Sequence, residues 1–402
     1  MKIHIHRGQN QIGGSIIEIS SDTTRIFFDI GTELDSDDND KQIPQIEGLF
    51  VGEKNCDAVF VTHYHADHIG LVSNILDDIP VYMGEKGYEI LSTSCRLRNK
   101  SVGFMAEFIE DRKKVTVGDI SITPILCDHS AYDSYMYFVE CDGRSVLYTG
   151  DFRSSGRLDF QELLDVLPAA DAVICEGTTL SRDDTAKKYA TETELCDIAV
   201  SAMAKHSGPC FVILSATNID RLITMAEIAK RTGRLLCMDL YTAMVAKASG
   251  VESIDPEKNS HIRVFILDKS NHATLISNFY NSKIGYRDIA KSEFILCVRS
   301  SMRGYIRKIH NLRSFENGIF FYGLWSGYKE QYGMKALLDE VQRYGLYIHT
   351  LHTSGHADAE AISKVIEKAS PKKILPVHTE NAEWFDRYSN SSMVISEIEC
   401  DV

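Results

Sequence analysis

The chain has 402 residues, 44% hydrophobic and 25% charged, with a formal net charge of −14. That is the make-up of a globular protein long enough for two or more domains of about 150 residues each. No apolar run reaches the roughly 18 residues of a membrane-spanning helix, and the excess of acid argues against a protein that coats nucleic acid without selectivity.

The opening stretch, MKIHIHRGQNQ, lacks the apolar core of a secretory signal. Ten cysteines stand singly, none in a C-x-x-C pair, and read as reduced core thiols. A cytoplasmic protein with no membrane contact is expected. His4 and His6 have the H-x-H spacing but sit in an expected first strand without further ligands, so a structural role is assigned to them. GSIIEIS and RIFFDIG follow as strands, and the acidic stretch 33–42 reads as a loop.

Residues 59–70, VFVTHYHADHIG, carry the densest chemistry. An apolar run ending at Thr62 reads as a buried strand. On extended chain His63 and His65 point the same way, whereas on a helix they would stand about 200° apart. A turn after His65 then separates two ligand sets, His63 with His65 and Asp67 with His68. Imidazole and carboxylate are zinc ligands, and two ions about 3.5–4 Å apart activate a water and stabilise a displaced oxygen.

Helices are expected near 86–98 and 103–113. CDHS supplies His129. YMYFVE and RSVLYTGD form a hairpin with Asp142-Gly143 where a type I′ turn wants it, leading to Asp151 at a strand end, placed to bridge two ions. Cys127 reads as a buried thiol. From about 184 the rhythm changes to α/β. Thr191 and Glu194 form a capping box for a helix that Gly208 can end; CFVILS, NIDRLITMAEIAKRTG and RLLCMD then make a βαβ unit. No G-x-G-x-x-G is present, so no nucleotide cofactor is indicated. Residues 283–313 hold eight basic side chains against two acidic ones, a candidate phosphate-contacting surface or a solvated helix face. The aromatics of FFYGLWSGY (320–328) offer faces for stacking bases, with core packing the stronger expectation. After about 345 the strands return, ending in YIHTLHTSGHAD and in KKILPVHTE, which supplies His378; His349 and His352 read as edge-strand or near-site residues.

THYHADH, then DHS, then YTGD, in that order, resemble the metallo-β-lactamase-fold hydrolases. Glu176 in VICEGTT, His356 in SGHAD, His378 in PVHTE and the insertion between them resemble the β-CASP branch, and with GQNQIGGS near the start the order of motifs is most similar to the ribonuclease J group. The resemblance implies an αββα sandwich, residues 1–183 and 345–402, interrupted by an α/β β-CASP domain over 184–344. It implies two zinc ions per chain, one on His63, His65 and His129, the other on Asp67, His68 and His378, bridged by Asp151; manganese or iron also suit such ligands. Asp29 would orient a ligand imidazole, and Glu176 would orient His356 as proton donor or phosphate ligand. Asp67, Glu176 and His356 are thus the catalytic candidates. The implied activity is hydrolysis of RNA, single-stranded, as a 5′-exonuclease, an endonuclease or both. A DNA nuclease and a non-catalytic RNA-binding relative are the alternatives, and a histidine at position 378 favours RNA.

Candidate substrate contacts are Asn218 and Arg221 at a helix start, Arg299 and Ser300 after FILCV, and Ser354 and Gly355 beside His356. The glycine-serine segment of the family appears only loosely, as CVRSSMRGYIRKI, and a chain without the additional C-terminal domain of bacterial ribonuclease J is expected, since 24 residues follow His378. Monomer and homodimer both stay open.

Overall fold

The structure, a computed structural model, describes residues 1–34, 42–181, 188–266 and 279–402, so most of the acidic stretch at 33–42 lies outside it. The chain divides into two compact units, Met1–Tyr189 with Ser354–Val402, and Ala190–Thr353.

The first unit contains two seven-stranded sheets. One runs in the order Glu399–Asp401, Lys2–Arg7, Ile16–Ser20, Arg25–Ile30, Ala58–Phe60, Val81–Gly84, Ala106–Ile109. The other runs Met393–Val394, Lys373–Val377, Ala172–Glu176, Arg144–Tyr148, Ser134–Cys141, Ile120–Cys127, Val115–Val117. Their inner faces share one core, in which Phe28 of the first sheet packs on Tyr137 and Tyr148 of the second at ring distances of 5.2 and 5.8 Å. Helix Ala359–Ala369 closes the outer face of the second sheet through Ile362, Val365 and Ile366, and helix Glu85–Leu97 packs against Val81–Gly84. This is the four-layer sandwich the resemblance implies. Asp142 and Gly143 both take positive φ, 49° and 70°, as the type I′ turn requires.

The second unit is a seven-stranded sheet, all parallel, in the order Lys283–Ile284, Ile262–Phe265, Leu235–Asp239, Phe294–Val298, Cys210–Ile213, Ile319–Tyr322, Tyr347–Thr350. Its central strands are buried along their whole length, as expected when helices cover both faces. The capping box on Thr191 and Glu194 is formed, and helix Ile219–Thr232 ends on Gly233 in the left-handed conformation.

The βαβ unit is present, its two strands parallel in one sheet with Phe294–Val298 between them. Three expectations are corrected. The stretch 103–113 holds a strand, Ala106–Ile109, because pairing with Val81–Gly84 extends the sheet and outweighs local helix preference. The helix from Glu192 ends at Met203, before Gly208. Finally, Tyr347–Thr350 pairs with Ile319–Tyr322 and completes the sheet of the insert, so the chain rejoins the first unit at Ser354 rather than near 345.

Candidate metal centre

Strand ends assemble the site. His63 follows Ala58–Phe60, His129 follows Ile120–Cys127, Asp151 follows Arg144–Tyr148, Glu176 ends Ala172–Glu176 and His378 follows Lys373–Val377. After His65 the chain enters a short helix, Ala66–Ile69, which turns Asp67 and His68 away from the strand direction. That helix is held against the loop after Arg25–Ile30: Ser15 and Thr32 donate their backbone N–H to the carbonyls of Asp67 and Ala66 at 3.0 and 2.9 Å. A Cβ on Gly31 would fall 1.7 Å from the Asp67 carbonyl oxygen, so only glycine permits this approach.

Two donor groups result, His63 with His65 and His129, and Asp67 with His68 and His378; His63, His68 and Asp151 form a third set that overlaps both. In the first, His65 Nδ1 lies 3.1 Å from His63 Nε2 and 3.2 Å from His129 Nε2. Nitrogens about 2.0–2.1 Å from a tetrahedral zinc stand roughly 3.3–3.4 Å apart, so these spacings are close to the edges of such a tetrahedron. In the second, His378 Nε2 lies 3.2 Å from Asp67 Oδ2. Asp151 Oδ2 is 3.2 Å from His68 Nε2 and 3.9 Å from the Nε2 atoms of both His63 and His129. Two atoms in the centre, His68 Nε2 and Asp151 Oδ1, are buried without a hydrogen-bond partner. Such orphans are costly unless a cation takes their lone pairs. The seven side chains therefore fit a metal centre in donor chemistry and in geometry.

Electrostatics point the same way. Burial, with the neighbouring imidazoles, holds His63 well below the usual histidine range. Burial also drives His129 down, and lowers His65 to about 4. Neutral imidazoles are what a cation needs; His68 is the exception, where burial lowers the pKa but Asp151, Asp29 and Asp67 outweigh it and raise it well above the usual range. Burial opposes ionisation of Asp67 and Asp151, but the facing histidines outweigh it and hold both carboxyls low.

Three of the candidate ligands, His68, His129 and His378, are oriented from behind. Asp29, fully buried and with φ at 56°, accepts from His68 Nδ1 at 2.8 Å, from the Tyr148 hydroxyl at 2.7 Å and from the Thr62 N–H at 2.8 Å. His129 Nδ1 donates to the Gly355 carbonyl. Thr178 Oγ1 stands 2.7 Å from His378 Nδ1, and the His378 N–H reaches the carbonyl of Gly8, in the GQNQIGGS stretch, at 2.7 Å. His378 too takes positive φ, 51°. Two non-glycine residues in the left-handed region at one site are strained backbone maintained by these bonds. Under His129, the buried pair Arg153 and Asp128 meets at 2.5 Å, and Asp128 also accepts the N–H groups of Arg157 and Leu158.

Glu176 Oε2 lies 3.1 Å from His356 Nδ1, while its Oε1 accepts the Phe152 N–H at 3.0 Å. Burial would lower His356, but Glu176 and Asp151 prevail and raise it to about 9. Its side chain is about a fifth exposed, and Nδ1 is 3.5 Å from Asp151 Oδ2.

The substrate contacts expected from sequence are not all available. Ser354 is buried, its hydroxyl accepting the His356 N–H at 3.0 Å, and Gly355 contributes its carbonyl to His129. Arg221 is buried and engaged by Glu192 at 3.0 Å and by the Leu351 carbonyl at 2.6 Å, so it is a structural cation. Asn218 caps helix Ile219–Thr232 by accepting the Arg221 N–H. Arg299, half exposed, pairs with Asp239 and precedes Ser300 in the insert. Outside the centre, His4 and His6 pair with Glu399 and Glu18 and stack on each other. His352 bonds the Gly323 carbonyl at 3.3 Å, His349 lies beside Phe321, and Cys127 is a buried thiol whose pKa burial raises. Thr62, Tyr148, Thr178 and the Arg153–Asp128 pair are not evident from spacing; for Thr178 the adjacency to Glu176 is the one local signal.

Residues 24–205 match the family described as beta-lactamase superfamily domain, and residues 344–393 the one described as Zn-dependent metallo-hydrolase RNA specificity domain. Ribonuclease J of Mycoplasma pneumoniae is 25% identical over 94% of this chain and 68% of its own length. The transcription termination factor FttA of Methanococcus maripaludis is 23% identical over 96% and 68%. A protein of unknown function from Enterococcus faecalis V583 has a similar fold, with a TM-score of 0.77 and 20% identity over 98% of this chain and 97% of that one.

Proposed function

We propose that this chain, which is similar to the metallo-β-lactamase-fold proteins of the β-CASP, ribonuclease J-like group, is a zinc-dependent ribonuclease that hydrolyses RNA phosphodiesters with two ions bound. The observation that carries this reading is the set His63, His68 and Asp151, which links the two donor groups, with His68 Nε2 and Asp151 Oδ1 left without hydrogen-bond partners. When bound, such ions supply Lewis acidity that activates water for attack at phosphorus and stabilises the displaced charge.

His63, His65 and His129 would hold one ion and Asp67, His68 and His378 the other, with Asp151 available to both. Glu176 accepts the proton on His356 Nδ1, leaving Nε2 as the nitrogen that protonates the departing ribose oxygen. Glu176, 3.1 Å from Nδ1, favours the protonated form of His356. Cleavage of this sense leaves a 5′-phosphate on the downstream fragment. RNA as substrate is supported by the RNA specificity match over residues 344–393 and by the ribonuclease J relatives.

The test is digestion of labelled single-stranded RNA and DNA, side by side, by the zinc-loaded protein and its Asp67→Ala variant. RNA should be cut by the parent alone. An Asp67→Ala protein cutting RNA at the parental rate would remove the proposal. Product mapping on RNAs with 5′-hydroxyl, monophosphate and triphosphate ends then separates exonuclease from endonuclease action.

A further inference from the structure

The stretch FFYGLWSGY was expected to pack in the core, and its first half does: Phe320, Phe321 and Tyr322 are buried. The second half is not. Trp325 is 51% exposed, Tyr328 43% and Tyr332 91%, on the 3-10 helix Ser326–Glu330 and the start of helix Tyr332–Arg343. Single exposed apolar residues need no explanation, whereas clustered ones mark an interaction surface.

This cluster is held in place. The Trp325 carbonyl accepts the Tyr322 hydroxyl at 2.9 Å and the Tyr328 N–H at 3.2 Å. A Cβ on Gly327 would fall 2.2 Å from the six-membered ring of the indole, so the ring is seated over that glycine. The Tyr328 ring meets it edge-on, at 5.6 Å and 89°. Cations lie on the same segment and on the helix beside it. Lys329 Nζ lies 4.7 Å from the centre of the Tyr322 ring. Gly333, next to Tyr332, comes against the side chain of Ser300, the residue between Arg299 and the arginine-bearing helix Arg303–His310. There Arg303 and Arg307 share a single carboxylate, Glu340, which leaves net positive charge. The carboxylate of the 3-10 segment, Glu330, faces Lys335 at 3.9 Å.

We propose that Trp325 and Tyr328 form a stacking platform for the unpaired bases of single-stranded RNA, with the neighbouring arginines drawing its phosphates. Fixed aromatic faces beside cations are the combination that binds single strands irrespective of sequence, because every base offers a π-face. The proposal rests on RNA being the substrate and adds where the strand is gripped.

The test uses the full-length, zinc-loaded protein and a phosphorothioate-linked decaadenylate, which resists hydrolysis. The protein has two tryptophans, and Trp384 is 7% exposed with Arg387 stacked on it, so the difference in emission between wild type and W325F reports Trp325. Saturable quenching of that difference by the decamer, with none by inorganic polyphosphate, is expected. A W325A/Y328A protein should bind the labelled decamer on the order of tenfold more weakly or worse. Unchanged emission, equal quenching by polyphosphate, or undiminished affinity in the double variant would overturn the platform. So would a wild-type dimer, seen by sedimentation, that W325A dissolves, since the patch would then be a protein contact. RNA cleavage with a silent Trp325 defeats the platform alone, and quenching without cleavage defeats the nuclease reading alone.

Discussion

The Thr178 hydroxyl, 2.7 Å from His378 Nδ1, determines which ring nitrogen of that histidine turns towards Asp67. Replacing it with valine keeps the shape and removes the bond. Loss of such an orienting partner typically costs about 10–100-fold in metal affinity. A Thr178→Val protein should therefore yield zinc to a competing chelator at correspondingly lower chelator concentration while keeping its circular dichroism; an unchanged competition curve would deny the threonine this role. The contrast with His63 and His65 explains what spacing can reveal. Their shared direction follows from two residues of extended chain, so it is visible in a hexapeptide. Thr178 and His378 are 200 positions apart, and Tyr148 and Asp29 are 119 apart, so nothing local records that they meet. Arg221 failed in the opposite way. A helix start and a basic side chain look like an anion site until Glu192, 29 positions earlier, is found filling it.

Among the secondary-structure elements, the paired helices of the insert carry a pH-sensitive joint. Arg303 on helix Arg303–His310 donates to Glu340 on helix Tyr332–Arg343 at 2.6 Å, Arg307 donates twice, at 2.9 and 3.2 Å, and the Tyr344 hydroxyl adds a fourth bond at 2.8 Å. Burial pushes the Glu340 carboxyl up, but the arginines outweigh it and bring it down to about 2 from an unperturbed 4.5. A depressed carboxylate stabilises the fold above its unfolded pKa and loses that contribution as pH falls through the folded one. Between about pH 4.5 and pH 2, the urea midpoint of the wild type should fall more steeply than that of Glu340→Gln, with the two curves converging at the acid end. Parallel curves would exclude the joint. Periodicity showed some of these elements, since buried parallel strands read as apolar runs such as FILCV. It could not show that Ala106–Ile109 is an edge strand or that Tyr347–Thr350 belongs to the insert, because both facts are set by a distant pairing partner.

On the scale of the whole molecule, every candidate ligand lies in the unit formed by Met1–Tyr189 and Ser354–Val402. A ligand that binds only the folded state raises stability by mass action, so chelation should act on this unit alone. Calorimetry of the zinc-loaded and chelator-treated protein should show one transition moving to lower temperature and a second, from residues 190–353, staying where it was. Re-addition of zinc should restore the first. If both transitions move together, or neither does, the placement of the ions in the first unit is wrong. No helix among the described residues is long and apolar enough to cross a membrane.

The unit is built from two lengths of chain, and 311 positions separate Asp67 from His378. At ordinary rates of translation, about 5–20 residues per second, a ribosome that has just made the HADH stretch works on for roughly 15–60 s before it adds the last imidazole. Throughout that interval the nascent polypeptide, tethered within reach of its own messenger, has no complete centre with which to cut it.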